Sequence, residues 1–116
     1  KEEGEMIEMV SFEDWSKLDL RVGLIESVEE IEGKDKLYKL VVNFEEEMRT
    51  VVSGIKPDYP NKEEIEGKKV VFVYNLDPRE IVGIESQAMI LGAINEEGNY
   101  KLSFVDDSVK AGTKME

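Results

Sequence analysis

The 116-residue chain contains no cysteine and no histidine. Together those absences exclude disulfide staples, thiol nucleophiles, imidazole acid–base chemistry and the usual zinc ligand sets, and they fit a cytoplasmic setting. No apolar run reaches the length of a membrane span, and the opening Lys1-Glu2-Glu3 does not resemble a signal peptide, so no membrane partner is expected. Phosphate-cradling glycine loops are missing too: Gly67-Lys68-Lys69 lacks both the upstream glycine and the following hydroxyl of a P-loop. The acids follow no EF-hand spacing, and among 27 of them neighbours such as Asp106-Asp107 arise by chance. Neither a metal nor a cofactor is expected, and the chain does not read as an enzyme. It opens on Lys1 rather than Met, as a fragment, a processed product or a trimmed chain would.

What is present is charge. Charged residues make up 36% of the chain and Gln occurs once, with Val, Ile, Glu and Lys abundant, a composition that suggests a thermophilic source. The formal net charge of −12 opposes binding to phosphate. Its distribution softens the objection. Residues 1–14 hold one Lys against six acids, and further acids run through Glu26–Glu32 and Glu45–Glu47. Lys34, Lys36, Lys39, Arg49, Lys56 and Arg79 fall where acids are sparser. Either a local basic face or a merely solvated charged surface fits this pattern.

Residues 1–11 read as an acidic N-terminal extension, and 12–116 as a single domain. Ser11-Phe12-Glu13-Asp14 resembles a helix N-cap followed by early acids. A short helix over Phe12–Leu18 places Phe12 and Trp15 on one side, as an oligomer contact or, for Trp15, as a plug at the end of the core. Short apolar runs rich in Val and Ile then predict strands over Leu20–Ile31, Lys36–Phe44 and Arg49–Ser53. Gly23 suggests a bulge or bend in the first. Asn61–Glu66 predicts one or two helical turns stopped by Gly67. Lys69–Asn75 is the clearest strand, its unbroken apolar run implying burial on both sides. A loop with Pro78, Gly83 and Ser86 precedes strands over Ala88–Ile94 and Tyr100–Val105, and a polar C-terminal extension follows. The first five of these strands, with a short helix between the third and fourth, follow the order of an all-β, five-stranded OB-fold barrel, whose first strand must bend to pair on both sides.

Five segments carry a more specific signal: Leu18–Gly23, Gly33–Leu40, Arg49–Ile55, Gly67–Leu76 and Gly83–Met89. In this order they resemble the tRNA-binding domain found at the C-terminus, or as a separate β subunit, of methionyl-tRNA synthetases, and in free-standing tRNA-binding proteins. The resemblance covers about residues 12–110. It implies an OB barrel that recognises tRNA by shape and backbone, and that raises the local tRNA concentration for a linked synthetase catalytic chain or domain. It also implies a homodimer, with Phe12, Trp15 and the segment after the fifth strand at the contact.

OB folds bind nucleic acid across strands two and three and the adjoining loops. On that basis Lys34, Lys36, Lys39, Arg49, Lys56 and Arg79 are expected to neutralise phosphates, and Ser53 and Asn75 to bond sugars or base edges. Ser86, Gln87 and Met89 match the family's Ser-Gln-Gly-Met run beside that groove. Each has an alternative reading: Met89 as core filler, Ser86-Gln87 as a loop cap. Ala88 replaces the usual Gly of that run, and Asp77 stands where relatives are often basic. Some members of the same family act as chaperones or assembly factors, so a protein-interaction or purely dimerising module is the alternative function.

Overall fold

The computed structural model describes residues 7–116; the first six residues of the acidic extension lie outside them. Ser11 caps a single-turn helix α1 (Phe12–Trp15), its hydroxyl accepting from the Asp14 amide at 3.0 Å. The helix is shorter than the sequence predicts and buries none of its residues.

Nine strands follow: β1 (Leu20–Ile31), β2 (Lys34–Asn43), β3 (Met48–Ser53), β4 (Lys69–Val73), β5 (Arg79–Ile81), β6 (Ile84–Ser86), β7 (Met89–Ile90), β8 (Gly92–Ile94) and β9 (Tyr100–Leu102). The protein is all-β, as expected. Its main sheet is antiparallel, in the order β3-β2-β1-β4-β7. The long β1 is shared between two partners: Leu20–Leu24 pair with β4, and Leu24–Ile31 with β2. The ladder slips between Ile25 and Ser27, not at Gly23. Gly23 serves another purpose. A Cβ there would lie 2.5 Å from Val42 Cγ1 and 2.8 Å from the Phe72 ring, so its hydrogen lets neighbouring core side chains close over β1.

Alternation directs Ile25, Val28, Tyr38, Leu40, Val42, Val51, Val70 and Phe72 into one core, with Phe44 and Ile65 fully buried at the connections. Ile65 follows a 3-10 turn (Lys62–Glu64), a single helical turn within the predicted Asn61–Glu66 segment. All of Val70–Val73 is buried, as the apolar run implies. The C-terminal extension is not a loose tail. It lies along the other edge of β1, where Gly112 N and Met115 N donate to Val22 O and Leu20 O, both at 2.7 Å, and Val22 N donates to Thr113 O at 2.9 Å.

Two elements depart from the sequence reading. The expected loop before the fifth strand is the β5–β6 hairpin, turning through Val82 (φ 46°) and Gly83 (φ 79°). Two positive φ values suit a tight hairpin turn, but a β-branched residue at the first of them gives no turn signal. The expected fifth strand is split at Leu91 into β7, which pairs with β4, and β8, which pairs with β9.

Candidate nucleic-acid interface

The end of β3, the β4–β5 connection, the hairpin and β7 enclose a groove of about 290 Å³. Ser53, Arg79, Ser86 and Met89, four of the residues singled out in the sequence, line it together. The pleat decides what the hairpin shows it. Arg79 pairs with Ser86 and Ile81 with Ile84, whereas Glu80 opposes Glu85 on the alternate face. The hairpin thus turns its cation toward the groove and its two acids away. Met89 is 47% exposed and therefore does not fill the core. Ala88 does, although it also borders the groove. Val52, Leu76, Asp77, Ile81, Ile90 and Tyr100 complete the wall. The sequence reading did not assign them to a site, because only the hairpin fold brings them together.

Ser86 and Gln87 have an intramolecular task. Between the β6–β7 junction and β3 only one backbone bond forms, Gln87 N to Thr50 O at 2.8 Å. Side chains supply the rest: Gln87 Oε1 accepts from Thr50 N at 2.8 Å, and the buried Ser86 Oγ accepts from Val52 N at 2.9 Å. A hydroxyl and an amide oxygen stand in for ladder carbonyls on the edge of β3. Gln87 keeps its Nε2 without a hydrogen-bond partner among the described residues.

Arg49 and Asn75 are also engaged within the fold. Arg49 shares the inward face of β3 with Val51, since these residues pair with the core positions Val42 and Leu40. Its guanidinium lies over the Tyr74 ring at 3.6 Å, donates to Tyr74 O (2.6 Å) and Gln87 O (3.0 Å), and pairs with Glu47 at 2.7 Å. Arg21, held by Asp19, lies over the same ring at 4.1 Å. In this cluster burial raises the Tyr74 phenol, helped by its bond to Glu47, while the Tyr74 hydroxyl and then Arg49 hold the Glu47 carboxyl below its ordinary value. The bond to Asp19 raises Arg21 further. Asn75 accepts from Asp19 N at 2.8 Å and donates to Lys17 O at 2.7 Å, stapling the segment after α1 to the end of β4. Neither residue is a free donor, because the register and the chain crossing consume their polar atoms.

The remaining cations differ in freedom. Lys34 and Lys36 are exposed at the start of β2 and have no ion-pair partner among the described residues. Lys36 lies beside Gly54, the residue after Ser53, so this turn adjoins the groove end of β3. Lys39 faces Glu29 at a loose 4.0 Å. Lys56 donates to Glu30 at 3.0 Å, a bond that raises its pKa. Far from the groove in sequence, Phe12 is 80% and Trp15 40% exposed, so Trp15 does not plug the core. No helix among the described residues is long and apolar enough to cross a membrane, and no three of their acids gather as metal ligands would.

A family model described as a putative tRNA binding domain matches residues 20–114. The methionine–tRNA ligase of Caldanaerobacter subterraneus subsp. tengcongensis is 46% identical over 96% of this chain, which spans 17% of that ligase. The solved structure of a MetRS related protein from Pyrococcus horikoshii superposes with a TM-score of 0.88 at 39% identity, covering 94% of this chain and 99% of that one. The chaperone CsaA of Bacillus anthracis superposes at 0.82 with 31% identity, covering 94% of this chain and all of the other.

Proposed function

The chain belongs to the family of putative tRNA-binding domains, and from that premise we propose that it binds tRNA without catalysing a reaction, as a domain or β subunit of a methionine–tRNA ligase. Its work is to raise the tRNA concentration near a catalytic body that it does not itself contain, which requires only modest intrinsic affinity. The observation that carries this reading is the groove, where four residues from separate segments converge with the hairpin acids turned away.

The bonds that each candidate makes within the fold support a division of roles. Lys34, Lys36, Lys39 and Arg79 are the phosphate contacts, with Ser53, Met89 and Gln87 Nε2 beside them for sugar and base. Arg49, Asn75 and Ser86 position the strands that carry those contacts, and Lys56 is shared with Glu30. Two protomers join through the exposed faces of Phe12 and Trp15, and the module works in the cytoplasm. Fluorescence anisotropy of labelled mixed tRNA tests the assignment. Lys36→Glu combined with Arg79→Glu abolishes binding at low salt while leaving the unfolding midpoint in place; full binding by the double variant refutes the location.

One observation favours a second reading, a chaperone-like protein-interaction module: the likeness to CsaA, together with the half-exposed Leu76, Val82 and Met89 on and beside the groove. Binding of that kind rests on apolar contact and tolerates salt, whereas phosphate neutralisation does not.

A further inference from the structure

We propose that the groove holds one unstacked guanine base of the bound RNA, selected by the carboxylate of Asp77. The inference rests on the tRNA-binding reading and goes one step further, to the chemistry that the groove accepts.

The volume comes first. About 290 Å³ lies at the lower end of cavities that take a small ligand, about 300 Å³ upward. That suits one planar ring system. Sequence-reading proteins take RNA bases in this way, splayed out of the stack onto side-chain platforms. Leu76 and Met89, both lining the groove and nearly half exposed, offer such an apolar platform, and a thioether packs well on a π face.

The polar inventory comes second. Ser86 Oγ and Gln87 Oε1 are committed to the β3 backbone. Asp77, Arg79 and Ser53 line the groove with no side-chain hydrogen bond or ion pair among the described residues. One acceptor-only carboxylate and one donor-only guanidinium therefore remain, with a hydroxyl able to do either. Arg79 suits a phosphate or a carbonyl oxygen. Asp77 needs N–H donors, and its two oxygens match two adjacent ones. Guanine alone among the four bases presents N1–H and N2–H2 side by side on its Watson–Crick edge. Adenine and cytosine place a ring acceptor next to their amino group, and uracil flanks its single N–H with two carbonyls; both arrangements set a lone pair against the carboxylate. A lysine or arginine at position 77 would reverse this selection by offering donors only.

The test is titration of the whole chain with GMP, IMP, AMP, CMP and UMP, followed by amide chemical shifts, for the native protein and for Asp77→Asn. Asp77 is exposed, so the variant keeps the fold. GMP is expected to shift the amides of Ser53, Leu76 and Met89 with an affinity about tenfold above AMP, CMP or UMP, a ratio set by one bidentate contact. IMP, which lacks the N2 amino group, loses most of that advantage, and Asp77→Asn removes it. Equal responses to all nucleotides, an unchanged preference in Asp77→Asn, or groove shifts produced only by an unfolded apolar peptide overturn the proposal. Labelled tRNA is measured alongside. Salt-sensitive tRNA binding without any nucleotide response in the groove sinks the guanine site alone; absence of tRNA binding sinks both readings.

Discussion

Replacing Ser86 with Ala probes how the sheet edge is closed. Ser86 is 7% exposed, and its hydroxyl is the acceptor for the amide of Val52, itself 5% exposed. Alanine fits the space but leaves a buried N–H without a partner, which costs about 1–3 kcal/mol. The second contact of the hydroxyl, to Ala88 O at 3.5 Å, is too long to add much. We therefore expect a loss of about 2 kcal/mol from a total of roughly 5–15 kcal/mol, or a Tm lower by about 8 °C in a domain of this size. Urea unfolding followed by circular dichroism measures it, with the midpoint falling at unchanged m. Gln87 supplies the control. Gln87→Glu keeps an acceptor for Thr50 N and stays within about 0.5 kcal/mol, while Gln87→Leu loses about 1 kcal/mol. A Ser86→Ala protein as stable as the native one, yet unable to hold tRNA, would refute the reasoning and return the hydroxyl to the RNA.

Two further predictions concern other parts of the molecule. The Glu47 carboxyl is held below its ordinary value of 4.5 by Tyr74 and Arg49. Its contribution to stability is therefore complete above that value and is lost as pH falls through the lowered one. The urea midpoint should fall from pH 5 to pH 3 and do so less in Glu47→Gln; parallel pH profiles for the two proteins contradict the assignment. Phe12→Ala with Trp15→Ala removes exposed apolar surface from a helix that buries nothing. Sedimentation equilibrium should then show self-association weakened about tenfold or more with little change in unfolding, and an unchanged mass distribution rules out this contact.

How far the sequence discloses this fold depends on whether a feature is local. The apolar run Val70–Val73, the Ser11 cap and the short apolar run of β2 belong to single segments, and each reads correctly from its own residues. Gly23 is detectable as an anomaly, but its cause is the approach of Val42 and Phe72 from two other strands, which no local pattern reveals. Arg49 shows the conflict most clearly. Its i, i+2 relation to Val51 points inward, while its charge points to solvent. The register wins because Tyr74, Gln87 and Glu47 satisfy the guanidinium at the end of the core. Ser86 and Gln87 stand out in the sequence through their match to a Ser-Gln-Gly-Met run, whereas their bonds to the β3 backbone join segments more than thirty residues apart and belong to no local pattern. The hairpin stays hidden because Val82 occupies a turn position that usually signals itself with Asn or Gly.

The central claim is that this acidic module neutralises tRNA phosphates through a few cations that the fold leaves free or only loosely paired. The most direct test is the salt dependence of tRNA binding. With Lys34, Lys36, Lys39 and Arg79 as contacts, about three to four phosphates per protomer give a log–log slope of about −2 to −4. A slope in that range, reduced by about one in Arg79→Ala, is the result the account predicts; binding that is flat in salt, or no binding at the lowest salt, contradicts it.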